Sequence, residues 1–238
     1  MSRSTNLFAG LFGSFAVSCF TLVLVPQAQL GGLQPQFTEE DGKITDRYPI
    51  NVGGIATHGR EVYISEGCIS CHSQQVRDLQ YGTDILRGWG PRRTVARDYL
   101  YSTPALLGSS RIGPDLSNTG WVDWRNEDKS DTRRPKKRDT AWHLLHLYSP
   151  KTIVTESNHP SYRYLFEERK IVGQKSDDAL NLSGENMPRD GYEVVPTPAA
   201  KALAGYILSL DRSHELPEAK GAPAATSAAA TTPAAPAQ

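Results

Sequence analysis

Residues 7–25, "LFAGLFGSFAVSCFTLVLV", carry no charge, and the uncharged run extends from Ser4 to Phe37, with apolar character thinning only after Val25. About 20 apolar residues in a helix span the hydrocarbon of a bilayer, so this segment predicts one transmembrane helix. Further along, "THGREVYISEG", residues 57–67, reads as a helix capped by Thr57, with Val62, Tyr63 and Glu66 at helical spacing and only the first two apolar. "DTAWHLLHLYSP" predicts a second helix, begun by Asp139 or Thr140 and stopped before Pro150. Thr197 followed by Pro198 is an N-cap with proline at the first helical position, and Leu203, Tyr206, Ile207 and Leu210 then form one apolar stripe, predicting a helix over 198–211. No alternating strand stands out between these, and the prolines and glycines elsewhere read as loop. The fold class expected is mainly α.

Composition divides the 238 residues. Residues 1–26 are the expected membrane anchor, 27–56 a Gln/Gly/Pro-rich connector, 57–212 the folded domain, and 213–238 a disordered Ala/Pro/Thr-rich tail with almost nothing to bury. A cleaved signal peptide begins the same way as this anchor, but the apolar core is longer than the usual signal core and "VPQAQL" is a poor cleavage site. The anchor is therefore expected to be retained in the lipid bilayer. Arg3 on one side, with Glu39, Glu40 and Asp41 on the other, places the amino terminus in the cytoplasm and the domain outside it. Formal net charge is zero and mean hydropathy is −0.46, which implies no nucleic acid as partner. The charged stretch 125–139, of mixed sign with a basic end, reads as an exposed loop and as a surface that steers a donor protein.

Two of the three cysteines stand in "EGCISCHSQQ", residues 66–75. C-x-x-C-H is the attachment signature of c-type haem: Cys68 and Cys71 form thioethers to the porphyrin vinyl groups, and His72 lies under the iron as its proximal ligand. A structural zinc site wants four ligands, and no second C-x-x-C completes one. A thioredoxin-like redox pair needs a strand before the motif and a helix after it, whereas a helix is predicted before it. Cys19, inside the apolar run, reads as a small apolar residue. The expected cofactor is one covalently bound haem c.

An amino-terminal helix running into C-x-x-C-H, a later "GPDL" and a carboxy-terminal helix together resemble a class I cytochrome c. That resemblance implies that the terminal helices cross at Gly59 and that the Pro114 carbonyl accepts a hydrogen bond from the proximal imidazole. "GREVYISEGCISCHSQQVR", "SSRIGPDLSNTG", "WHLLHLYSPKTIVTESN" and "PSYRYLF", in that order and with "VPQAQLG" after the anchor, look like the mono-haem, membrane-anchored cytochrome c subunit of cbb3-type cytochrome c oxidases, a likeness running from the anchor to Leu210. It implies a bacterial inner-membrane protein with a periplasmic haem domain. Its partners would be a catalytic haem–copper oxidase subunit, other cytochrome subunits, and a soluble or membrane cytochrome donor. The chain would carry single electrons and would not be catalytic alone. The residues themselves leave open a stand-alone anchored cytochrome, or the haem subunit of another membrane redox enzyme.

At one point the chain departs from the family pattern. Where Ser-x-Met-Pro-x-Tyr supplies an axial methionine, this chain reads "ESNHPSYRYLF", with His159 in that place. Met187, the one methionine besides Met1, precedes the final helix at a spacing that suits an ordinary cytochrome c. Imidazole and thioether both ligate haem iron, so His159 is the favoured distal ligand and Met187 the alternative. Arg77 and the arginines of "GPRRTVARDY" are candidates for pairing with the haem propionates, since arginine matches a carboxylate in a bidentate way. His143 and His146 are expected to face the haem edge, its propionates or the large subunit.

Overall fold

In the computed structural model, residues 3–126 and 137–221 are described. Most of the expected charged loop, 127–136, and the tail from 222 to 238 lie outside the described residues. By its contacts the chain divides into two units, one of residues 1–51 with 95–105 and one of residues 52–94 with 106–238.

The first unit opens with helix α1, Arg3–Leu30, whose 28 residues are long and apolar enough to cross a membrane and bury no side chain. The helix does not stop at the proline that was expected to end the anchor. Pro26 has no N–H to give and its ring crowds the preceding turn. The turn before it, Phe20–Leu24, is widened to π-helix, and the Val25 amide donates to the Phe20 carbonyl five residues back. With the extra room, the helix continues through Pro26 to Leu30.

The expected connector is also not featureless: β1, Gln36–Glu40, pairs antiparallel with β2, Lys43–Tyr48, from Gln36 opposite Tyr48 to Glu40 opposite Lys43. Asp41 and Gly42 turn the chain between them at φ +53° and +72°, the left-handed pair that a two-residue hairpin loop requires. Tyr48 is buried and its hydroxyl donates to Asp98 at 2.6 Å, while Arg47 donates to the Tyr101 hydroxyl at 2.7 Å. These contacts hold residues 95–105 to the hairpin.

The second unit is built on helices. α2, Ile55–Ser65, begins after Gly54 at φ +64°, so Thr57 lies inside the first turn and is not the cap that the sequence suggested. α3, Thr140–Tyr148, is capped by the Asp139 carboxylate, which accepts from the Trp142 amide at 3.0 Å. α4, Pro198–Ser209, is capped by Thr197, whose hydroxyl accepts from the Ala200 amide at 3.3 Å. Each helix buries one stripe: Ala56, Gly59, Val62 and Tyr63 on α2, Leu144 and Leu147 on α3, and Ala200, Leu203, Tyr206 and Ile207 on α4. Val62 and Tyr63 and the stripes of α3 and α4, with Leu106, Leu116, Leu165, Phe166, Val194 and Leu210, form the core. A second antiparallel pair, β3 (Phe166–Lys170) with β4 (Tyr192–Pro196), adds Phe166 and Val194 to it.

Gly59 marks the closest approach of α2 to α4. A Cβ built there would lie 1.9 Å from the Ala202 carbonyl oxygen and 2.6 Å from the Tyr206 Cβ. Backbone cannot yield as a side chain can, so alanine forces the helices apart. Overpacking costs about 3 kcal/mol at the upper end of its range, and the better helix propensity of alanine returns about 1 kcal/mol. Gly59→Ala is therefore expected to lose ~2 kcal/mol of stability in a denaturant titration of the haem-loaded protein. Gly205→Ala is the control, because its nearest neighbour would be Ile55 Cγ2 at 3.5 Å, an ordinary contact. Equal midpoints for the two variants would show that the helices do not meet at Gly59.

Candidate functional site

The C-x-x-C-H segment leaves α2 at Gly67, whose φ of +72° turns the chain out of the helix. A 3₁₀ turn over Cys68–Ser70 follows, and the His72 amide donates to the Cys68 carbonyl at 3.0 Å. Cys68 and Ile69 pack against the core. Burial pushes the Cys68 thiol up to about 11, opposite to the lowered value that activates a redox cysteine. With helix α2 ahead of the motif, neither the local structure nor the electrostatics suits a thiol–disulfide pair.

Residues 106–118 lie along residues 71–75. Gly113 donates to the Cys71 carbonyl at 2.9 Å, Leu116 to Ser73 at 2.8 Å, and Gln74 to Leu107 at 3.0 Å. Between these bonds His72 Nδ1 donates to the Pro114 carbonyl at 2.8 Å. Gly113 allows the ring to sit so close, since a Cβ there would fall 2.2 Å from His72 Cε1. Asp115, fully buried, accepts from Ser73 Oγ at 2.6 Å, the Gln75 amide at 2.7 Å and the Ser117 amide at 2.8 Å. It thereby clamps the carbonyl-bearing loop to the residues that follow His72. Asp115 stands in "GPDL", where no role was evident, and it opens "DLSNTG", whose polar residues are the local sign of a hydrogen-bonded loop.

The irregular stretch 154–162 follows the short helix Pro150–Ile153. The Tyr162 amide pins that stretch to the end of α3 by donating to the Leu147 carbonyl at 2.8 Å. His159 stands within it with its ring centroid 6.0 Å from that of His72, the planes inclined at 49°. Its Nδ1 donates to the Pro160 carbonyl at 2.8 Å. Each of the two rings thus spends its Nδ1–H on a proline carbonyl, which leaves the lone pair on Nε2. Burial holds both imidazoles below their ordinary value, and for His159 the neighbouring His72 adds to this. Both are neutral at pH 7, the form that binds a metal.

The remaining sequence candidates divide. Met187 follows a 3₁₀ turn at Gly184–Asn186 and is 63% exposed. Arg77 is taken by a partner that the sequence did not suggest: its Nε and an Nη reach Asp84 at 3.2 and 2.9 Å, and Arg111 reaches the same carboxylate. Asp84 is fully buried, and a buried carboxylate must be paired. Burial alone would raise its pKa, but the hydrogen bonds from Arg77 and Arg111 outweigh it and hold the carboxyl below its ordinary value. Arg92 donates to the His214 carbonyl and Arg93 to that of Glu218, and Arg97 donates to Gln34 within the first unit. His143 and His146 sit on α3, and the His146 ring reaches His159 at 4.7 Å between centroids.

Two neutral imidazoles, the His72 and His159 rings with centroids 6.0 Å apart, beside a C-x-x-C pair are a donor set that would suit a haem. When bound there, the haem supplies an iron that gains and loses one electron. The sequence model of the cytochrome c oxidase mono-heme subunit/FixO family matches residues 13–190, well over half of the chain, and stops short of α4. No curated protein matches it. With an apolar helix at its start, the C-x-x-C-H turn after α2 and this match over most of its length, the chain belongs to the FixO family of mono-heme cytochrome c oxidase subunits.

Proposed function

We propose that this chain is a membrane-anchored c-type cytochrome that carries single electrons from periplasmic donors to the catalytic haem–copper subunit of a cbb3-type oxidase. One haem is held by thioethers at Cys68 and Cys71, with His72 as proximal and His159 as distal ligand, in a domain of the class I cytochrome c kind. Helix α1 anchors it in the bacterial inner membrane with the amino terminus cytoplasmic. The observation that carries this reading is the opposition of the His72 and His159 rings at 6.0 Å beside the cysteine pair.

The chain's own residues then have limited and definite tasks. Pro114 and Pro160 hold the Nδ1 protons, so neither ligand has a proton to exchange when the electron arrives. Asp115 and Gly113 keep the proximal ring at one angle, and the core beneath Cys68 and Ile69 keeps water from that side. No general base or nucleophile is required of a subunit whose work is electron transfer. Purification from membranes in mild detergent, followed by a haem stain of the denatured chains, tests the assignment. A haem-stained band of this chain that co-purifies with a large polytopic subunit is expected. Recovery of the chain alone, with its haem, would reduce the reading to a stand-alone anchored cytochrome.

A further inference from the structure

His159 rides on an irregular stretch, and its ring turns about a torsion with broad, shallow minima. The hydrogen bond to Pro160 joins it to its own neighbour and moves with the loop. Something outside that stretch must fix the ring if its lone pair is to meet an iron at one angle. The ring that does this comes from α3, which Asp139 caps and Leu144 and Leu147 root in the core. Trp142 and His146, four residues apart and so on one face of α3, stack with centroids 4.8 Å apart and planes 9° from parallel. The Arg138 guanidinium lies 5.4 Å from the Trp142 centroid. The His146 ring stands 4.7 Å from that of His159 at 45°, and Tyr162 stands 5.5 Å from it at 52°. His146 Nδ1 is buried and makes no hydrogen bond among the described residues.

We propose that His146, braced by Trp142, is a positioning residue whose ring sets the plane of the distal imidazole. The inference rests on His159 being the distal ligand. Its consequence is electronic. Each imidazole, if bound to an iron, would donate from one π orbital, so the angle between the two ring planes would set the energy separation of the two iron d orbitals of π symmetry in the ferric state. That separation is read directly by electron paramagnetic resonance of the low-spin ferric protein.

The test uses the full-length, haem-loaded chain in detergent, with the largest g value as the first readout and cyanide affinity of the ferric protein as the second. His146→Ala and Trp142→Leu are expected to shift and broaden the largest g value, whereas His146→Phe, which keeps a ring without its nitrogens, retains the wild-type spectrum. Loss of an aromatic neighbour also loosens the distal ligand, so cyanide should bind His146→Ala more tightly, by up to about tenfold. An unchanged spectrum in both His146→Ala and Trp142→Leu overturns the proposal. So does a shift in His146→Phe as large as that in His146→Ala, which would assign the effect to a ring nitrogen. His159→Ala separates the two layers of the argument. If it keeps the wild-type low-spin signal, the ligand assignment itself fails; if it loses that signal while His146→Ala does not differ from wild type, only the role given to His146 fails.

Discussion

Alanine at Cys68 or at Cys71 will leave at most one thioether and reduce the mature protein to a small fraction of the wild-type level, and the double variant will give no haem stain after denaturation. The two thiols stand at the start of one 3₁₀ turn and just past its end, directly ahead of His72. Without them the proposed haem would be held by coordination bonds alone, from two separate loop regions. α2, α3 and α4 share an apolar core made by the chain itself. The segments that carry or adjoin the proposed ligands, 66–75, 106–118 and 154–162, are mostly irregular. Limited proteolysis of whatever haem-free chain survives should therefore cut first within 154–162, where His159 stands on a stretch without regular structure, and spare the helices. Accumulation of full-length, protease-resistant, haem-free protein at the wild-type level would contradict this. It would mean that the helical core suffices for the whole domain.

Replacing His159 by alanine will convert a six-coordinate low-spin iron into one open to carbon monoxide. The wild-type ferric protein is expected to show a bis-imidazole spectrum without the weak sulfur-to-iron charge-transfer band, and Met187→Leu should leave that spectrum unchanged. The basis is geometric: the His159 ring lies 6.0 Å from that of His72, while Met187 is 63% exposed on its turn. A second imidazole favours the ferric state, so the potential should lie below that of a His/Met relative in a similarly buried site. A charge-transfer band that vanishes in Met187→Leu and persists in His159→Ala would transfer the ligand role to Met187. The proximal site built by Pro114 and Asp115 would stand unchanged by that result.

Much of this was legible because it depends on neighbours in the chain. The helix caps at Asp139 and Thr197 were visible, since a capping side chain serves an amide three residues on. Thr57 failed as a cap because Gly54, free to adopt φ +64°, let the helix begin earlier. The hairpin at 36–48 was missed because its short strands are mostly exposed and show no apolar alternation, although Asp41-Gly42 between them was a usable turn signal. β3 and β4 were harder still. Phe166 meets Pro196, and no local rule links residues so far apart.

The sequence by itself determined the chemistry that lies within one short segment: the apolar span of α1, the cysteine pair and histidine at 68–72, and the apolar stripes of α2 and α4. What only the tertiary structure decided is which distant groups meet. The Tyr162–Leu147 hydrogen bond draws the 154–162 stretch against α3 and the His159 ring to 6.0 Å from that of His72, far away in the chain, while Met187 lies exposed on its own turn. Arg77 was equally free on paper to meet a propionate or a carboxylate of the chain. Asp84, seven residues away and fully buried, takes it together with Arg111, because a charge removed from water has to find its counterion inside the fold.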